Sequence, residues 1–199
     1  MGTKALSGRE NWQEAGGGKA DAAEKKFYEI MTSAFKGTEF RIRSKPREFK
    51  HIYEKISLTP QVIEAIYNPV GETWTHGITP DYAIDNVETN KTLYIEVKRQ
   101  DGWVENKPRK AGRGNAHERS CKYFTPGLLK TLRSKGGLGD DVIPFWIVLQ
   151  GDIARDPKRV REIYCWFEGI EDHFFLWSDG ADNKAVVKHF NEKLKKLLL

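Results

Sequence analysis

The sequence predicts a single α/β domain. Segments whose apolar residues recur at helical spacing alternate along the chain with short segments of strand period. Neither an internal repeat nor a long linker divides the 199 residues, a length that supports one sizeable core.

Each element follows from its own pattern. Residues 1–20 are small and polar and include Ala15-Gly16-Gly17-Gly18, so they are expected to form a mobile N-terminal arm, docked in part by Trp12, ahead of a domain over 21–199. Ala23, Phe27, Ile30, Met31 and Phe35 share one stripe and predict a helix. Phe49, Ile52, Tyr53 and Ile56 predict a second helix, entered at Pro46. Thr59-Pro60 supplies a cap and a first-turn proline for a short helix bearing Val62, Ile63 and Ile66. Residues 81–85 and 92–98 change period and read as two strands joined by a polar turn through Glu88, Thr89 and Asn90. A Gly-, Lys- and Arg-rich loop at 100–114 is long for a compact domain, and loops of that kind are more often functional than idle. Residues 115–124 read as a helix, broken or kinked near Pro126-Gly127, with Leu128, Leu129 and Leu132 continuing an apolar face. Phe145 to Leu149 has the composition of a buried strand. Pro157 opens a helix with Val160, Ile163 and Tyr164, residues 174–177 suggest an edge strand, and 183–199 an amphipathic helix.

Composition removes several classes of function. Aromatic residues make up 12% of the chain, too many for a disordered one, and the longest apolar run is strand-sized. The N-terminus lacks the apolar segment of a signal peptide, so no membrane partner is expected. Cys121 and Cys165 are far apart and outside any CxxC pattern, which argues against a disulfide scaffold or zinc finger and fits a reducing cytosol. The net charge of +5 is a mild hint of an anionic partner, but its distribution is uneven. Residues 91–135 hold twelve Lys and Arg against four acids, a net +8 that leaves the remainder at −3. A solvated basic face and a nucleic-acid surface both fit that window.

The candidate chemistry lies at the start of this window. Pro80-Asp81 precedes Glu96-Val97-Lys98, and on a strand Glu96 and Lys98 share one face with Tyr94, while Leu93, Ile95 and Val97 face the other way. A hairpin of the two strands would set Asp81 beside Glu96. Converging carboxylates call for a cation, and oxygen ligands of this kind suit Mg²⁺. Such a site fits phosphodiester hydrolysis, with Lys98 orienting or deprotonating water and adding positive charge near phosphorus. Taken alone, a Pro-Asp followed by Glu-x-Lys is a short signature that ordinary surface residues also produce.

Longer strings add specificity. Pro80-Asp81, Glu96-Val97-Lys98 and Gly114-Asn115-Ala116-His117-Glu118-Arg119 together resemble the EcoRI-type branch of the PD-(D/E)xK type II restriction endonucleases. The resemblance extends through Lys98-Arg99-Gln100-Asp101-Gly102-Trp103 and Phe124-Thr125-Pro126-Gly127-Leu128, and covers most of the chain. It implies a mixed β-sheet flanked by helices, and a Mg²⁺-dependent homodimer in the prokaryotic cytoplasm that cuts a palindrome in double-stranded DNA without a small-molecule cofactor. The implied site is CAATTG, cut after the first C to leave a 5′ AATT overhang. By position, Asp81 and Glu96 would be metal ligands, the Val97 carbonyl a third, and Lys98 the catalytic lysine. Asn115 and Arg119 match contacts to the inner AATT, and Arg113 matches a reader of the outer pair. Their chemistry agrees: Asn pairs bidentately with adenine, Arg with guanine, and Ala116 can pack on a thymine methyl.

Other roles stay open for these residues. Asn115 is also placed to cap a helix, and Arg119 to pair with a neighbouring acid. Lys107, Arg109, Lys110 and Lys122 are expected to touch phosphates rather than bases. His117 is expected to face away from DNA and not to be catalytic. Glu24 is read as a solvated helix residue, with support of the metal site as the alternative. Trp103 is a candidate for DNA or dimer contact. A structure-selective nuclease would share the carboxylates and lysine but not need the Gly114-to-Arg119 string; a noncatalytic DNA-binding module would not need Asp81, Glu96 and Lys98 together.

Overall fold

Strand β3 (Lys91–Arg99) is the centre of the fold, because its alternate side chains supply two different cores. Leu93, Ile95 and Val97 join Phe27, Met31, Trp146 and Phe190, whereas Tyr94 joins Phe49, Tyr123, Phe145 and Ile147. The computed structural model describes residues 3–54, 56–65, 76–101 and 116–199, with side chains of the first helix from residue 18 onward and without that of Ala116. Around β3 lie β1 (Phe40–Ser44), β2 (Tyr82–Asn86), β4 (Phe145–Gln150) and β5 (Phe174–Trp177), in the order β1-β2-β3-β4-β5. The first three pair antiparallel and the last three parallel, so the sheet is mixed, as expected. Every residue of β4 is buried, the reason its first five, Phe145 to Leu149, are an unbroken apolar run rather than an alternation.

Helices cover both faces. Those on the first are α1 (Thr3–Ala34), through Phe27 and Met31, and α6 (Asn183–His189), through Val186. The second face is covered by α4 (Pro126–Gly136), through Leu128 and Leu132, and by α5 (Pro157–Trp166), through Ile163. Proline opens both of the latter helices, where its missing N–H costs nothing. Short helices α2 (Pro60–Ala65) and α3 (Ala116–Ser120) complete the set. No helix among the described residues is long and apolar enough to cross a membrane.

Four expectations change. Residues 3–20, expected to be an arm apart from the first helix, continue it without a break. Once the packed turns around Phe27 exist, extension adds one hydrogen bond per residue, and each glycine costs only about 1 kcal/mol. The side chains ahead of residue 18, Trp12 included, lie outside the described residues.

Residues 48–54 form turns rather than a second helix. Their backbone is engaged by the segment after His76: Tyr53 N–H donates to the His76 carbonyl at 3.2 Å and Ile78 N–H to that of Phe49 at 3.3 Å. The approach is so close that a Cβ on Gly77 would lie 1.9 Å from the Phe49 oxygen. Phe49 is nonetheless core, edge-on to Tyr94 at 4.7 Å.

Strand β1 was not expected. Finally, the C-terminal helix is regular only to His189, then widens into a π turn at Phe190–Leu194 and tightens at Lys195–Leu198. Val186, Phe190, Leu194 and Leu198 are all fully buried at spacing four. An α-helix drifts by about 40° at each such step, and the wide turn absorbs part of it. Leu198 then accepts a 2.9 Å hydrogen bond from Asn86 at the tip of the β2–β3 hairpin.

Candidate active site

Asp81 stands one residue before β2, whose register pairs Tyr82 with Ile95 and thereby brings Asp81 opposite Glu96. Both carboxylates are buried, at 5% and 8% exposure, where unpaired charge would be costly. Lys98 projects from the same face of β3 and places Nζ 3.1 Å from Asp81 Oδ2 and 2.7 Å from Glu96 Oε1. Asp81 Oδ2 also accepts the Val97 backbone N–H at 2.9 Å. Asp81, Glu96 and Lys98 thus meet as strand parity predicts.

Further groups extend the cluster on both sides. Lys45, just beyond β1, directs Nζ to Asp81 Oδ1 at 2.6 Å and to Glu24 Oε2 at 3.0 Å. Its backbone is left-handed, with φ 46°, and its N–H donates to the Asp81 carbonyl at 2.8 Å. Pro46 follows and disfavours the right-handed helical alternative. Glu24 is therefore tied into the site rather than merely solvated, because α1 packs Phe27 and Tyr28 against Tyr82, the neighbour of Asp81. On the other side, the Tyr123 phenol donates to Glu96 Oε2 at 2.8 Å. The result is one chain of contacts: Glu24, Lys45, Asp81, Lys98, Glu96, Tyr123.

Electrostatics follow from this chain. Burial works against the Lys98 ammonium, but the charges of Glu96 and Asp81 outweigh it and raise its pKa. Burial is likewise the largest influence on Lys45, yet its bonds to Asp81 and Glu24 prevail and raise it too. The Tyr123 phenol is pushed up, first by burial and then by the charge of Glu96. Burial, with the charge of Glu24, brings Tyr82 to about 12. Three carboxylates against two ammonium groups leave one excess negative charge, an arrangement receptive to a cation. No cluster of three or more His, Cys, Asp or Glu suited to one metal ion occurs among the described residues. A cation held here would rest on two carboxylates completed by backbone oxygen and water, a donor set that fits Mg²⁺.

Beyond β3, α3 turns Glu118 and Arg119 to solvent and buries His117 and Ser120. The His117 ring stacks on Trp166 at 5.0 Å and 8°, beside the Arg159–Glu162 ion pair. Burial pushes its imidazole down, ahead of the opposing effect of Glu162. His117 is thus packed against α5 and stands apart from the carboxylates. A 3₁₀ turn, Cys121–Phe124, continues from α3 and carries Tyr123 into the second core. Lys122 is exposed, its Nζ 5.1 Å from the centroid of the Tyr123 ring. Lys107, Arg109, Lys110, Arg113, Asn115 and Trp103 lie outside the described residues, as does the Ala116 side chain.

The model of the family described as "Type II restriction enzyme MunI" matches residues 1–199. The chain belongs to the MunI family of type II restriction enzymes. It is 51% identical over 201 residues to the type II restriction enzyme MunI of Mycoplasma sp, covering all of both chains. It also resembles a crystal structure of MunI restriction endonuclease in complex with cognate DNA, with TM-score 0.81 and 49% identity over 95% of this chain and 98% of that one. The mixed sheet is accordingly the restriction-endonuclease fold. Within this MunI-family site, sequence patterning missed Lys45 and Tyr123. Lys45 had only its place after the Phe40-Arg41-Ile42-Arg43 alternation to mark it, and Tyr123 only its position four residues after Arg119.

Proposed function

We propose that the protein is a Mg²⁺-dependent homodimeric endonuclease that cuts duplex DNA at CAATTG after the first C, leaving 5′ AATT overhangs. The observation that carries the reading is the convergence of Asp81 and Glu96 on Lys98, whose Nζ lies within hydrogen-bonding distance of both carboxylates, in a MunI-family chain. Asp81 and Glu96 would hold the ion with the Val97 carbonyl. In an extended strand the N–H and C=O of one residue point to the same edge, and Val97 N–H faces Asp81. Bound Mg²⁺ supplies stabilisation of the charge that gathers on the phosphate oxygens.

The chain's own residues do the rest. Lys98 would donate from Nζ toward the developing charge while orienting the attacking water. Asp81 and Glu96 hold that ammonium in place, and Val97 N–H fixes the Asp81 carboxylate. Arg119, exposed on α3, together with Asn115 and Ala116, would read the inner AATT, and Arg113 the outer pair. Lys107, Arg109, Lys110 and Lys122 would contact phosphates. Reading a palindrome with one kind of chain requires a two-fold dimer. A noncatalytic DNA-binding module has no use for two buried carboxylates around a lysine, and a structure-selective nuclease has none for the string ending at Arg119.

The test is single alanine substitution of Asp81, Glu96 and Lys98, assayed on a duplex carrying CAATTG. Each should lower Mg²⁺-dependent cleavage by more than about 100-fold, beyond the usual effect of losing a mere supporting group. Specific binding should survive. Cleavage at the normal rate by the Asp81 variant would remove the catalytic assignment.

A further inference from the structure

We propose that Tyr123 is a positioning residue, which ties the segment presenting Arg119 to the carboxylate of Glu96. The inference rests on the reading of Glu96 as a metal ligand. Glu96 has two oxygens with different partners: Oε1 meets Lys98 Nζ at 2.7 Å, and Oε2 accepts the Tyr123 phenol at 2.8 Å. Two donors on opposite oxygens set the rotation of a carboxylate that one donor would leave free to turn.

The phenol is itself held. Tyr123 is 1% exposed, and its ring packs against Phe145 at 5.6 Å in the core beneath the sheet. The hydroxyl cannot swing away without opening that core. Chemistry distinguishes it from the other partners of the carboxylates. Lys45 and Lys98 carry positive charge and compete with a divalent cation for oxygen, whereas a neutral phenol does not. Tyr123 can therefore keep its bond to Oε2 while the cation is bound, as the partners behind metal ligands commonly do.

Its position in the chain gives the contact a second consequence. Tyr123 follows α3 in an uninterrupted helical path, from Ala116 through Ser120 into Cys121–Phe124. Arg119 faces solvent on that path while Tyr123 faces Glu96. A shift of the segment as Arg119 engages a base is transmitted directly to the metal carboxylate.

The test uses Tyr123→Phe in the full-length protein, which keeps the ring and deletes only the hydroxyl. Mn²⁺ serves as the probe because it accepts the same oxygen ligands and its free ion is counted by electron paramagnetic resonance. Binding is measured without DNA for the wild type, Tyr123→Phe, Glu96→Gln and the double variant, alongside thermal unfolding. Tyr123→Phe should weaken Mn²⁺ binding by about 10- to 100-fold at a temperature where the variant is still fully folded, and should add nothing in the Glu96→Gln background. Wild-type affinity in Tyr123→Phe would overturn the inference, as would effects that multiply in the double variant. If Glu96→Gln alone binds Mn²⁺ like the wild type, the ligand reading of Glu96 falls first and this inference with it.

Discussion

Lys45 Nζ lies 2.6 Å from Asp81 Oδ1, although the two residues are separated by 36 positions and stand at the ends of neighbouring strands. The contact makes Lys45 a resident cation of the carboxylate cluster. Its left-handed backbone and its own N–H bond to the Asp81 carbonyl hold the ammonium where a divalent ion would claim the same oxygen.

Removal of that charge should make the site more receptive to cations. Lys45→Met leaves Glu24, Asp81 and Glu96 opposed by Lys98 alone. A unit charge about 4 Å away is worth about 1 kcal/mol even with full aqueous screening, so divalent-ion binding without DNA should tighten about fivefold or more. Titration of the DNA-free variant reads this directly, and unchanged or weaker binding would show that Lys45 chiefly holds Asp81 in place.

Acid should destabilise the fold through its histidines. Burial is the leading cause that pushes His117, His173 and His189 below their ordinary value of 6.5. His173 Nδ1 lies 2.8 Å from the Phe145 carbonyl and His189 Nε2 2.9 Å from that of Asp172, each donating its proton. Unfolded chains bind protons as pH falls through 6.5 while these folded rings do not. Stability is therefore present above that pH and is lost on acidification toward the folded values, by at most about 1.4 kcal/mol per pH unit for each histidine. Thermal unfolding followed from about pH 7 to 5 should show a falling midpoint, with a shallower slope in His173→Asn. A flat profile in the wild type would contradict the neutral assignment.

Base reading should divide between residues. Arg113→Ala should reduce discrimination at the outer pair by about 1–3 kcal/mol and leave the inner four pairs as selective as before, while Arg119→Ala should do the reverse. Cleavage rates on a set of singly altered duplexes separate the two. Unchanged selectivity at the outer pair would move its readout away from Arg113.

Much of this was legible before the structure, and for physical reasons. β3 alternates because it serves two cores, so its parity alone put Glu96 and Lys98 on one face. Pro157 announces α5, whereas Pro126, which reads in sequence as a break or kink after Phe124, opens α4 as a helix of its own. What escaped depends on contacts distant in sequence. β1 offers only Phe40 and Ile42 between arginines, too brief an alternation to stand out. The stripe Phe49, Ile52, Tyr53 has helical spacing, but its backbone bonds are taken by His76 and Ile78. Neither Lys45 nor Tyr123 has a spacing signature. Each joins the site because the sheet register and the path after α3 bring it there.

Digestion of plasmid DNA with and without Mg²⁺, followed by sequencing of the fragment ends, tests the central claim most directly, since it reports site, cut position and metal requirement at once. The account predicts cuts only with Mg²⁺, only at CAATTG, and only after the first C, with 5′ AATT overhangs. Ends at unrelated sequences, cutting of equal extent without divalent ions, or intact plasmid would contradict it.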